Sequence, residues 1–417
     1  MRILLINHYA GSLRHGMEYR PFYLGREWVR QGHEVTIAAA SCSHVRTAKP
    51  RIQGDITEEE IEGIRYLWLK TPDYRGNGPR RALNMLAFTR QLIRYRRMLA
   101  TRCEEGSVIA SSTYPLDVFP ARQIARRAGA KLVFEVHDLW PLSPMELGGM
   151  SRFHPFIMLL QRAENFAYRH AGAVVSMLPK AESHMRNHGL APGKFAYIPN
   201  GIDLAEWSGN HSEVPHEHRQ AVEEIRQKGH SIVMYAGAHG VANALDSLLY
   251  AAEVLQAHPL TIILVGQGPE KPALEDLARK LRLKNIVFLP SVPKPSIPAL
   301  LCSADVLFIG LQRCPLFRFG ISPNKLMDYM MAKKPIIQAI DAGNDMVTES
   351  QCGISVPPET PGAIASAALH LMAMSHSQRA EMGLRGHHYV VSRHAFHTLA
   401  QQFLQVLGAD KPCKAMK

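Results

Sequence analysis

The chain has no run of 18 apolar residues, which leaves no candidate for a membrane-spanning helix. Its six cysteines (42, 103, 302, 314, 352 and 413) form no CxxC pair and no zinc-type spacing. Free thiols in a reducing compartment are their simplest state. No GxGxxG follows the first apolar run, which argues against a dinucleotide-binding oxidoreductase. No Asp-x-Asp stands at the end of an apolar run, so no metal and no cofactor is assigned. Acid is missing from residues 74–103, a stretch with eight arginines. Aromatic stacking platforms are missing there too, so nucleic acid is not the expected partner.

The chain is 417 residues long, 46% hydrophobic and 20% charged, a globular composition with core enough for two or three domains. The net charge of +12 is unevenly placed, with +11 in residues 1–200 and +1 in residues 201–417. A basic first half suits an anionic membrane surface, a phosphorylated substrate or nucleic acid. Arg2-Ile-Leu-Leu-Ile6 reads as a first strand rather than a leader. Asn210-His-Ser212 matches a glycosylation sequon, without consequence in a cytosolic chain.

Short apolar runs alternate with helical periodicity in both halves. In the first, strands are expected at 3–6, 34–40, 108–110, 132–136 and 174–177, with a helix over 18–31 closed by Gly32. In the second, strands are expected at 232–236, 261–265, 286–289, 306–309 and 335–339, with helices over 243–257 and 270–282. The pattern predicts α/β architecture, with parallel sheets covered by helices on both faces. The breaks at 198–215 mark a linker.

Phe317-Arg-Phe-Gly-Ile-Ser-Pro-Asn-Lys-Leu-Met-Asp-Tyr-Met-Met-Ala-Lys-Lys-Pro335 is the most informative stretch. Gly320 permits close backbone approach, and Ser322, Pro323 and Asn324 are helix-start signals. A helix N-terminus after such a loop suits an anion. Lys325 adds positive charge where the helix dipole alone disfavours it, and Asp328 one turn on can accept sugar hydroxyls. The bland reading is a plain capped helix. The functional one is a nucleotide-sugar diphosphate site.

With these elements placed, the chain resembles glycosyltransferase family 4, of GT-B architecture. The resemblance rests on Gly32-His-Glu-Val-Thr36, Ile198-Pro-Asn-Gly-Ile-Asp203, Leu264-Val-Gly-Gln-Gly-Pro-Glu270, Ser322–Met330 and Gly353-Ile-Ser-Val-Pro357, five segments in family order. It implies two doubly wound Rossmann-like domains facing across a cleft. Residues 1–200 would bind the acceptor and 201–385 the nucleotide sugar, with 386–417 returning as a helix and tail toward the first domain. Ser322–Met330 is most similar to bacterial O-antigen and capsule enzymes, N-acetylfucosamine transferases among them.

The resemblance implies site residues. Donor contacts fall on Gly237, Gly240, Asn243, Gly266, Ser322, Asn324, Lys325, Leu326 and Asp328. Gly237 and Gly240 alternatively form a plain strand-to-helix turn. His137, at the end of a predicted strand, matches a family histidine beside the donor sugar and is the candidate catalytic residue, with Asp138 to orient it or to cap the next turn. Gly11, Gly16, Glu18 and Arg20 lie in the loop that closes over the acceptor, although Glu18 and Arg20 are equally compatible with solvated positions. The chain departs from the family at two places. The usual Arg/Lys pair is replaced around Ala238–Asn243, and Phe317 stands near the usual Glu. The latter points to a deoxy or N-acetylamino donor sugar.

The implied activity is retaining transfer from a UDP-sugar to a polyprenyl-diphosphate-linked saccharide, without a metal. The place is the cytoplasm, peripheral on the inner membrane face. Arg90, Arg94 and Arg97 share one helix face opposite Met85, Phe88, Leu92 and Leu99, and would meet anionic lipid. A nucleotide-sugar epimerase and a non-catalytic nucleotide-sugar-binding protein are the alternatives. Oligomeric state is unknown.

Overall fold

Apolar runs become strands in both halves of the chain, and the computed structural model describes residues 1–74, 76, 78–209 and 212–408. Asn210 of the sequon and Cys413 lie outside the described residues. The chain divides into one unit of Met1–Asn200 with the segment from Phe396 onward, and a second of Gly201–Ala395.

The first unit holds β1 (Arg2–Ile6), β2 (Glu34–Ala40), β3 (Ile56–Ile61), β4 (Ile64–Leu69), β5 (Ser107–Ala110), β6 (Lys131–Val136), β7 (Ala173–Ser176) and β8 (Phe195–Tyr197). Their order is β3-β4-β2-β1-β5-β6-β7-β8. All neighbours pair in parallel except β3 and β4, which are antiparallel. The expectation of a wholly parallel sheet is corrected at this edge. Glu62 and Gly63 both take positive φ, 50° and 78°, as a two-residue hairpin turn requires. Strand β3 (Ile-Thr-Glu-Glu-Glu-Ile) hides in the sequence because its charges suit an exposed edge and blur the alternation.

The second unit holds β9 (Ser231–Ala236), β10 (Leu260–Val265), β11 (Ile286–Leu289), β12 (Val306–Gly310), β13 (Ile336–Ala339) and β14 (Gly353–Val356), in the order β11-β10-β9-β12-β13-β14. All pairs are parallel. This is the doubly wound order, with its switch point between β9 and β12. Alternation along β9 feeds two cores, with Ile232 and Met234 in one and Val233 and Tyr235 in the other. Each such fully buried side chain contributes about 1.5–3 kcal/mol.

The return falls at Phe396 rather than at 386. The helix His376–His394 stays with the second unit because Gly383 and Gly386 let it lie close on Lys333 and Cys352. The final helix, Phe396–Leu407, presents Phe396, Leu399, Ala400, Phe403, Leu404 and Leu407 at helical spacing to the first unit's core. Its rings meet the helix Arg20–Arg30, where Phe396 stacks on Tyr23 at 4.7 Å and Phe403 meets Trp28 edge-on at 5.3 Å.

Candidate functional site

In the second unit the polar groups gather at the carboxyl ends of β9 and β12, where doubly wound sheets bind ligands. The helix Asn324–Met331 begins there with Pro323 at its N-cap, so Ser322 and Pro323 precede the helix and Asn324 opens it. Lys325, in the first turn, is half-buried. Its Nζ donates to the Tyr235 hydroxyl (2.8 Å) and to Asn243 Oδ1 (2.7 Å), and it lies 4.5 Å from the Tyr235 ring centre. Burial lowers its pKa to about 8, and among the described residues no carboxylate counters that effect. The arrangement is a positioned cation whose partners are all neutral.

Around it runs the loop Gly237–Gly240. Gly237 packs on the Lys325 side chain, and a Cβ there would meet Nζ at 3.1 Å. Gly266 is required by this loop itself, because a Cβ would sit 1.9 Å from the Gly237 carbonyl oxygen. Asn243 donates to the Ala238 carbonyl at 3.0 Å while accepting from Lys325, so it ties the loop to the cation. A pocket of about 240 Å³ opens beside the loop, lined in part by Ala236, Gly237, Gly266, Ser291, Val292 and Ile297. The expected helix over 243–257 starts instead at Leu245, after a 3₁₀ turn at Val241–Asn243.

Asp328 accepts from the Trp207 indole at 3.3 Å. Burial raises its pKa to about 7, moderated by Lys294 and by the Trp207 hydrogen bond and reinforced by Glu206. Asn324 is exposed at the helix start and Ser322 is half-buried. Leu326 turns its side chain into the core, and its N–H bonds the Pro323 carbonyl at 3.1 Å. Sequence reasoning missed Tyr235, whose hydroxyl lies within the second half's first apolar run and looks like strand filler.

In the first unit a buried polar chain follows β6. His137 Nε2 lies 3.0 Å from Ser111 Oγ and 3.4 Å from Glu135 Oε2. Burial opposes the charged imidazole, but Glu135 and then Glu18 outweigh it, and the pKa of His137 is raised. Glu135 in turn is held down to about 2. Burial works against that, and Arg20, at 2.9 Å, and His137 overcome it. The carboxylate that steadies His137 is therefore Glu135, while Asp138 is exposed. Glu135 escaped the sequence reading because it is buried near the end of an apolar strand, β6.

Arg20 is a correction. It was expected toward an acceptor or solvent, yet its guanidinium is buried and bound to Glu135 and to the carbonyls of Ile198 (3.0 Å) and Pro199 (2.5 Å). Gly11 and Gly16 belong to a loop closed on itself, in which Gly11 N–H bonds the Glu18 carbonyl at 2.8 Å and a Cβ on Gly11 would meet the Gly16 carbonyl oxygen at 1.9 Å. Glu18 is half-buried and acts on His137 by its charge. The basic helix divides at Tyr95, into Pro79–Arg94 and Arg96–Thr101. Arg94 pairs with Asp55 at 2.8 Å and is not a free lipid contact.

Residues 15–201 match the family model described as "Glycosyl transferase 4-like domain", and residues 230–374 match "Glycosyl transferases group 1". The chain is similar to the probable glycosyltransferase WbjE of Pseudomonas aeruginosa, 26% identical over 64% of this chain and 66% of that protein's length. It is also similar to the putative colanic acid biosynthesis glycosyl transferase WcaI of Escherichia coli K12, 24% identical over 72% of this chain and 76% of that protein. Among solved structures, HepE of Anabaena, in complex with UDP and glucose, shares the fold with a TM-score of 0.65 at 15% identity, over 98% of this chain and 100% of that one.

Proposed function

We propose that this chain, a glycosyltransferase of the family 4 type by the two domain models that cover most of it, transfers a sugar from a UDP-sugar to a lipid-linked saccharide in bacterial surface-polysaccharide synthesis. The observation that carries the donor reading is Lys325, a half-buried ammonium at the switch point that is held by neutral groups alone. A diphosphate supplies the missing anion. In the low-dielectric site its attraction for the ammonium is stronger than in water.

The uridine would enter the pocket beside Gly237 and Gly266, and Asp328 would accept the ribose hydroxyls. As the sugar–phosphate bond breaks, negative charge grows on the departing diphosphate. Lys325 and the helix N-terminus would stabilise it without reorganising. His137, in the first unit, would donate from its imidazolium to a donor-sugar hydroxyl, with Glu135 keeping it charged. No protein nucleophile is assigned, and retention of configuration is part of the proposal. The sugar is an N-acetylamino or deoxyamino hexose, N-acetylfucosamine being one candidate.

Residues 1–200 would bind the acceptor, a polyprenyl-diphosphate-linked saccharide. The helix Pro79–Arg94 exposes Leu83, Leu86 and Ile93 beside Arg80 and Arg90, which fits peripheral contact with anionic lipid at the cytoplasmic membrane face. No helix among the described residues is long and apolar enough to cross a membrane. The deciding experiment is thermal stabilisation against a panel of nucleoside diphosphates and UDP-sugars. A shift with UDP that disappears in Lys325→Ala supports the reading. Equal shifts in wild type and Lys325→Ala, or none with any nucleotide, overturn it.

A further inference from the structure

Away from both sites, two helical segments of the first unit bring metal-binding side chains together. The helix Pro155–His170 carries Glu164, and Glu182–Asn187 carries His184 and leads directly into His188. Residues four apart share a helix face, so the two imidazoles stand side by side, with ring centres 4.5 Å apart. The ligating atoms of Glu164, His184 and His188 all lie within 4.8 Å of one another, and His184 Nε2 is already 3.4 Å from Glu164 Oε1. Ligands on one tetrahedral zinc ion, at 2.0–2.1 Å each, are roughly 3.4 Å apart. Small side-chain rotations close the difference.

A second observation points to a missing positive partner. Glu164 is 1% exposed, yet among the described residues its carboxylate meets no Lys or Arg. Its neighbours are the Tyr168 hydroxyl at 3.0 Å, the Gln161 amide at 2.7 Å and His184. A buried carboxylate without a cation is costly. The same Gln161 nitrogen lies 2.8 Å from Asn165 Oδ1 and 3.0 Å from His188 Nδ1. The carboxylate of Glu164 and the Asn165 carbonyl oxygen thus share one neutral amide, with His188 Nδ1 also 3.1 Å from Asn165 Oδ1, at a spot where a cation would satisfy the carboxylate better.

We infer that Glu164, His184 and His188 form a binding site for a zinc-class divalent ion that fastens the short Glu182–Asn187 segment to the helix Pro155–His170. Two imidazoles and one carboxylate suit Zn²⁺, Co²⁺ or Ni²⁺ rather than Mg²⁺ or Ca²⁺. The fourth position would be filled by water or by Asn165. The role is structural, distinct from sugar transfer. The sequence hides it because only the His184-x3-His188 pair is local, and the carboxylate comes from twenty residues earlier.

The test is Co²⁺ titration of the chelator-treated full chain, read by visible absorption and by melting temperature. The expected result is one equivalent bound with a raised melting temperature. That equivalent should be lost in His188→Gln and weakened at least tenfold in Glu164→Gln. The chain has 21 histidines, so His388→Gln serves as the control that leaves binding intact. Circular dichroism and UDP stabilisation establish that each variant is folded. No Co²⁺ binding in wild type, or binding unchanged in both His188→Gln and Glu164→Gln, overturns the proposal and leaves the donor reading untouched.

Discussion

Lys325 is charged below about pH 8 and neutral above it, and this gives the proposed donor site a measurable signature. A bound diphosphate favours the charged form, so binding takes up a proton as pH rises past 8. UDP affinity should therefore be flat just below pH 8 and fall toward tenfold per pH unit above it, as read by calorimetry. Lys325→Arg, if it still binds, should flatten the curve, because guanidinium keeps its charge. A second prediction concerns Glu135. Glu135→Gln leaves the Arg20 guanidinium buried without its carboxylate and should cost about 3–5 kcal/mol in denaturant unfolding. The pKa of His137, followed by NMR, should drop at the same time, because Glu135 is what raises it. The sign for stability follows. A histidine with a raised folded pKa contributes fully below its unfolded value of 6.5, and the contribution fades as pH rises through the folded one.

The Gly237–Gly240 loop and the turn after β10 are stacked backbone on backbone. Gly266→Ala should lower stability by about 1–3 kcal/mol through overpacking. It should also weaken UDP binding, because the clash falls on the Gly237 carbonyl beside Lys325. A stability loss with unchanged UDP affinity would separate the loop from the donor. The same loop shows how far the sequence could be read. Lys325 and Asp328 were legible because a cation in the first turn and a carboxylate one turn later break the default helix pattern. Strands β9 and β10 were legible as apolar runs ending at glycine. Tyr235, Glu135 and Glu164 were not, since a polar atom inside an apolar run or helix shows its partner only after folding. The hairpin β3–β4 was hidden by its glutamates, and Arg20 was misread because a charge in a first turn usually points to solvent, whereas this one faces a buried carboxylate.

Across the whole chain, the charge asymmetry has a readable consequence. Binding to vesicles of anionic lipid should weaken steeply with salt, and Leu83→Ser with Leu86→Ser should reduce it at constant charge. Vesicle binding that ignores both salt and these leucines would remove the membrane contact from the proposed function. The return of the last helix to the first unit is the other large-scale feature. Phe403→Ala should cost about 3–5 kcal/mol there, though position 403 is separated in sequence from the first unit's main span by the entire second unit. That route also sets an order of events at the ribosome. Domains usually fold from the N-terminus as they emerge. Here the second unit can be complete while Trp28 and Phe22 still wait, their apolar face open to solvent, for a helix that is synthesised after it. The unit begun before the second is completed after it, and a chain stalled before Phe396 would carry a completed second unit together with a first unit whose apolar face is uncovered and aggregation-prone.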